Sequence, residues 1–438
     1  MVCYHSGTMK TRFLVLLLAC WPACVMAQVI DSPAARQARW DQDIDAFVQG
    51  FSARGSTHRA AGVDLSRGQL DFKKLYPPEQ FNAQIAALKQ SVGTRSDAEI
   101  VLELARIVAS AHVAHTSVEM PMSMGFERAL PVQFRWFSDG MIVWLATPEY
   151  KQTIGMRVAK VGSMTPEDLE KAIAPFISYE NEQWLKWNAP ALMTLRPVLD
   201  ALHLIDADGS VTLTLDRPGE TQLNIKLPFS ENPHPWIGVF AALRIPFPMS
   251  FMQRNRNYWY RYLDDSQTAY INYGICADDP KLAFAEFVRS MMADLDAKPV
   301  RRVVIDLTRN GGGDSVVIHP LLDALKAHPK WNGRIYVLIG PQTFSAAVMA
   351  AMRLKLELHA TLVGEPTGGK PAFYGFPEFL TLPNSKLLIR YTREHHASPK
   401  GMDGPALVPD IAASMSRADL LAGRDPALTA AIQAGARN

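Results

Sequence analysis

The run Arg302-Val303-Val304-Ile305-Asp306-Leu307 is almost continuously apolar and β-branched, and three glycines follow it at 311–313. A strand with no polar face must be covered on both sides, and such strands belong to parallel sheets flanked by helices. The chain around it keeps that rhythm. A strand pattern over 269–272 and an amphipathic helical pattern over 280–295 precede it. A helical pattern over 316–327, a strand over 335–339, a helix over 344–356 and a strand over 360–364 follow. This alternation predicts an α/β fold with parallel strands over 258–438.

The chain before position 258 is of two other kinds. Residues 28–118 predict a helical region. Trp40, Ile44, Phe47, Val48 and Phe51 fall on one helical face, and Phe81, Ile85, Leu88 and Val92 repeat the pattern. Ser96 or Asp97 caps a third helix that carries Ile100, Leu104, Ile107, Val108 and Ala111 on one side. Residues 119–228 predict a compact β-rich module with inserted helices at 166–173 and near 192–204. The alternating stretch 132–136, the turn Asp139-Gly140 and the return run 141–146 form a hairpin signal, and 155–161 and 211–215 add short strands. Pro233, Pro235, Pro246 and Pro248 mark 229–257 as a linker or irregular arm.

Composition narrows the function classes. Lys and Arg number 45 against 43 Asp and Glu, a net charge of +2, which gives no electrostatic footprint for nucleic acid. Lys10 and Arg12 precede an apolar stretch at 13–20, and Val25-Met26-Ala27 ends in a small residue, so residues 1–27 predict a secretory signal peptide. The expected location is the periplasm or the exterior. Leu17-Leu18-Ala19-Cys20 also resembles a bacterial lipoprotein box, in which case Cys20 carries a lipid. Cleavage after Ala27 would remove Cys3, Cys20 and Cys24 and leave Cys276 without an internal disulfide partner. No later stretch has 18 apolar residues in a row, so no spanning segment is expected.

Three features carry chemistry. Ser345 stands where a predicted strand gives way to a helix, in Gly340-Pro341-Gln342-Thr343-Phe344-Ser345-Ala346-Ala347. Free N–H groups and the positive dipole end at a helix start suit a nucleophile whose attack creates an oxyanion, although serine is also a common N-cap with no chemical duty. The triplet Gly311-Gly312-Gly313 lets backbone amides approach a ligand closely, and Gly312 or Gly313 together with Ala346 could form an oxyanion hole. No Gly-Lys-Ser/Thr follows the glycines, which disfavours a phosphate cradle. Lys370, in Gly364-Glu365-Pro366-Thr367-Gly368-Gly369-Lys370, comes 25 residues after Ser345 and could serve as base if desolvated, or be a solvated surface lysine. There is no G-x-S-x-G, S-x-x-K or H-E-x-x-H. His112 and His115 have helical spacing but no further metal ligands nearby, and His395-His396 predicts a loop pair. No metal or cofactor is expected.

Together these pieces resemble the tail-specific, or C-terminal processing, serine peptidase family. The match runs from Tyr270 to about Leu428, and adds Leu382-Pro383-Asn384-Ser385, Val408-Pro409-Asp410-Ile411 and Gly423-Arg424-Asp425-Pro426 to the segments above. The resemblance implies a Clp-protease/crotonase-like ββα core at 258–438 and a PDZ-like module at 119–228. It also implies Ser345 as nucleophile, Gly312 or Gly313 with Ala346 as oxyanion donors, Lys370 as base and a polypeptide as substrate. Pro371 and Tyr374 stand where processing peptidases carry glycine and glutamine. A related branch, the tricorn core proteases, uses histidine and an acid, for which His115 and Asp403 are placed. A third branch, the interphotoreceptor retinoid-binding repeats, has the fold without peptidase activity. It implies a binding protein with an apolar ligand in the cleft.

Overall fold

A computed structural model describes residues 32–54, 68–69, 72–216, 221–231 and 235–434. The expected signal segment 1–27, with Lys10, Arg12, Cys3, Cys20 and Cys24, lies outside the described residues. The apolar run leads directly to the central element. Six strands lie in the order Tyr258–Leu263, Thr268–Tyr273, Arg302–Asp306, Ile335–Ile339, Thr361–Gly364 and Ile411–Ala412. The first pair is antiparallel and the rest are parallel. Every residue of Arg302–Asp306 and of Ile335–Ile339 is buried, as a two-sided parallel sheet demands. One face packs against helices Phe284–Asp296, His319–Lys326 and Ala346–Leu358. The other carries Tyr270, Val304, Tyr336 and Leu338 under the C-terminal helix Pro426–Ala434.

The helical region and the β-rich module share one further core. Helices Pro33–Arg54, Pro78–Ser91 and Asp97–Ala109 bury the predicted stripes, and Ser96 caps the third in a reciprocal box with Glu99. In the module, Val132–Phe137 and Gly140–Ala146 pair across Asp139-Gly140, and strands Arg157–Val161, Val211–Asp216 and Leu223–Leu227 continue the antiparallel sheet. The helix Pro166–Ile173 has the predicted bounds. A second helix, Glu182–Leu192, is additional, because Pro190 and a mixture of polar and aromatic residues hide its period.

The main departure from the sequence pattern is a long hairpin, Phe373–Thr381 with Leu388–His396. It leaves the α/β domain and joins the N-terminal part, pairing with Gly68–Gln69 and Ser117–Val118. His395 and His396 are therefore strand residues. The predicted loop gives way because both histidines pack on aromatic neighbours, Tyr374 and Phe373. The tip of the hairpin is held by Asp43. This carboxylate is 1% exposed and accepts the backbone N–H groups of Asn384 and Ser385 at 2.7 Å each. Asp43→Ala would leave these amides without a charged acceptor, a loss of about 3 kcal/mol. The expected outcome is a lower urea midpoint for cooperative unfolding, with Asp43→Asn falling between parent and alanine variant.

Candidate active site

The site forms where three parallel strands end. Arg302–Asp306 runs into the glycine triplet, Ile335–Ile339 into the Ser345 turn, and Thr361–Gly364 into the loop that carries Lys370. Open α/β sheets place their ligands at this edge. Thr343 and Asn310 fix the turn. Thr343 Oγ1 donates to the Leu307 carbonyl at 2.8 Å and accepts the Gly340 N–H at 3.0 Å. Asn310 is fully buried; its carbonyl accepts the Phe344 N–H and its side-chain amide donates to the Tyr273 carbonyl at 2.7 Å.

Ser345 follows with φ 54° and ψ −126°, a conformation that non-glycine residues avoid. Its side chain makes no capping bond to the helix that begins at Ala346. The ordinary N-cap reading therefore gives no account of it. A strained residue at a strand–helix turn is the arrangement that exposes a nucleophile.

The glycine triplet meets this turn. A Cβ on Gly312 would stand 2.8 Å from Ser345 Cβ and 3.1 Å from the Ala346 nitrogen, and Gly312 has φ +105°. Only glycine fits there. Of the two candidate donors in the triplet, the Gly312 N–H is already given to Asn310 Oδ1 at 2.9 Å. The Gly312 carbonyl takes the Cys276 N–H, and the Asp314 N–H goes to the Cys276 carbonyl. Among the described residues, the N–H groups of Gly313 and Ala346 have no acceptor.

His115 lies just beyond the third N-terminal helix. Its ring stacks between Phe344, at 4.4 Å, and Phe373, at 5.3 Å. Phe344 also stacks on Trp184 of the module at 3.9 Å. The histidine is 4% exposed, and neither ring nitrogen has a hydrogen-bond partner among the described residues. Burial, with the charges of Arg390 and His396, pushes its pKa down to about 3. Asp403 makes no hydrogen bond to it: that residue is exposed and accepts a hydrogen bond from Ser398.

Lys370 is half-buried, and the preceding residue lies against the backbone of Ser345; a Cβ on Gly369 would be 3.1 Å from the Ser345 nitrogen. The loop is fastened to the module by Asn181, whose amide donates to the carbonyls of Thr367, Gly368 and Pro405. Its neighbour Glu180 has a carboxyl pushed up to about 7 by burial, against the opposing charge of Lys370. Asn181, Trp184 and Glu180 carried no motif signal, because their roles arise only when the module docks. No cluster of metal-ligating side chains exists among the described residues.

Residues 319–413 match the family model described as peptidase family S41. Within the α/β domain, that segment is similar to peptidase family S41. The matched segment holds Ser345, Lys370 and Asp403, while His115 and the glycine triplet lie outside it. Mature CPAF in complex with lactacystin is similar in structure, with 12% identity over 90% of this chain and 97% of that one, and a TM-score of 0.60. Mature CPAF alone gives 12% identity over 90% and 96%, with a TM-score of 0.61. At that identity the likeness is one of fold, and it extends through the α/β domain, the module and the helical region. No curated protein matches the sequence.

The buried histidine gives a pH signature. A folded-state pKa below the unfolded value of about 6.5 means that the unfolded chain binds the extra proton first. His115 thus favours folding above pH 6.5 and opposes it as pH falls toward 3. Between pH 7 and pH 5 the loss is about 2 kcal/mol. His115→Phe keeps the stack and removes the titration, so its denaturation midpoint should fall less over this interval. Parallel falls in parent and variant would refute the assignment.

Proposed function

We propose that the protein is a serine endopeptidase acting on polypeptides outside the cytoplasm, with Ser345 as nucleophile and His115 as general base. The observation that carries the reading is the strained, uncapped Ser345 set against Gly312 and the free Ala346 N–H. The Ser345 hydroxyl attacks a peptide carbonyl, and the Gly313 and Ala346 N–H groups receive the oxyanion. His115 takes the hydroxyl proton and passes it to the leaving amine; water then releases the acyl-enzyme. At neutral pH the imidazole is unprotonated and ready. Burial is the main cause of the ring's low basicity, ahead of Arg390 and His396, and negative charge forming on the oxyanion raises that basicity as the proton moves.

Lys370 is the second reading, favoured by the contact of Gly369 with the Ser345 backbone. Against it, the Lys370 side chain has the carboxyl of Glu180 as an electrostatic partner. The leader at 1–27 supports export, and no helix among the described residues is long and apolar enough to cross a membrane. The PDZ-like reading of the β-rich module rests on its place before the α/β domain. A non-catalytic protein holding an apolar ligand is disfavoured by the cavity beneath the module, which is lined by Arg135, Arg309 and Glu365.

A fluorophosphonate probe tests the nucleophile. Labelling should occur in the parent and vanish in Ser345→Ala; no labelling at any pH would sink the enzyme reading. On an unfolded polypeptide, His115→Ala should lower kcat/KM by at least about a thousandfold. Lys370→Met should lower it by less than tenfold. The reverse order would return the base to Lys370.

A further inference from the structure

A cavity of about 1180 Å³ lies between the module and the carboxyl edge of the central sheet. It is lined by Arg135 from the module strand Val132–Phe137, by Arg309 just after Arg302–Asp306, and by Arg254 from the arm. Neither Ser345, Lys370 nor His115 lines it. Its floor is nevertheless made by the loops that build the active site, since Thr308, Gln342 and Glu365 all contribute.

Asp139, Glu167, Glu170, Glu365 and Asp425 also line the cavity, but none of them is in direct contact with the three guanidinium groups. None has an ion pair within 4.0 Å among the described residues. Arg309 Nη1 is buried with no hydrogen-bond partner. Aromatic faces hold the groups instead. Arg135 lies 4.8 Å from the Trp144 ring, 5.2 Å from Trp187 and 5.0 Å from Phe251, and Arg309 lies 4.6 Å from Phe251. Burial, then the other arginines, pushes Arg135 down to about 9; burial, then Arg254, pushes Arg309 down to about 10. Glu365 opposes this at Arg135 and Asp306 at Arg309. Glu365 is itself buried and raised, and Asp306 already accepts hydrogen bonds from Tyr270 and Thr308. Guanidinium groups keep their protons at neutral pH. Burial accounts for most of this depression and the neighbouring guanidinium charges for the rest, and a bound anion would offset both.

We propose that this cavity is a subsite for acidic side chains of an extended polypeptide, giving the peptidase a preference for acidic segments near the cleaved bond. The reach fits. Gln342 is three residues from Ser345, so their Cα atoms are at most about 11 Å apart, a few residues of extended chain. The aromatic walls accommodate a chain's apolar parts, and Arg254, exposed to solvent, stands where an incoming carboxylate meets it first.

The inference rests on attack at Ser345, so binding is measured where attack is not needed. The full chain with Ser345→Ala is titrated with decapeptides, and the fluorescence of cavity residues Trp136, Trp144 and Trp187 is followed. One peptide carries three central Glu residues, a second has Gln in their place, and both ends of each are blocked. A third is the Gln peptide with a free C-terminus. The Glu peptide should bind at least tenfold tighter than its blocked Gln counterpart, and the margin should shrink with added salt. Arg309→Gln and the exposed, fold-neutral Arg254→Gln should each cut that margin at least threefold and leave Gln-peptide affinity unchanged. Equal binding of Glu and Gln peptides would overturn the proposal. So would a preference seen only with the free C-terminus, or a margin that survives both substitutions. If fluorophosphonate labelling failed while the arginine-dependent margin held, the anion subsite would stand and the peptidase reading would fall.

Discussion

Asn310 is the residue on which the geometry of the site depends. Its side chain bridges the end of one strand, through the Tyr273 carbonyl, to the glycine triplet, through the Gly312 N–H. Its own carbonyl holds the Phe344 amide, one residue before Ser345. A positive-φ serine costs on the order of 1–3 kcal/mol. It persists only where neighbours leave the chain no other path, and these bonds, with Thr343, supply that constraint. The same bond that binds Gly312 N–H to Asn310 leaves Gly313 and Ala346 as the proposed oxyanion donors.

A second set of contacts crosses between regions far apart in the chain. Trp184, Phe344, His115, Phe373 and His396 form a continuous run of stacked rings. It starts in the module, passes the nucleophile turn, takes in the helical region and ends on the hairpin. Stacking positions His115 without any hydrogen bond to its nitrogens. The ring that is proposed as base is thus held by its faces, and its buried nitrogens have no hydrogen-bond partner among the described residues.

The α/β domain was legible because its information is local. A two-sided strand reads as Arg302–Leu307 does, and a nucleophile turn reads from glycines and serine at fixed offsets. The N-terminal helices were legible for the same reason, through their 3.6-residue stripes and the Ser96 cap. The hairpin at 373–396 was not, since its residues face aromatic and N-terminal partners more than 250 positions away and show no clean alternation. Helix Glu182–Leu192 was hidden by Pro190. The burial of His115, the absence of a hydrogen bond between Asp403 and it, and the convergence of Arg135 with Arg309 are tertiary facts with no motif behind them.

The clamp made by Asn181 has a temporal consequence. The Lys370 loop is pinned by a residue nearly 190 positions earlier, and His115 reaches Phe344 across 229. No stretch of the chain taken alone contains both halves of the proposed nucleophile–base pair. If that pair is the catalytic one, a chain still emerging has no means to cut itself or its neighbours. Competence would then arrive only with the last docking event, and folding itself would serve as the activation step.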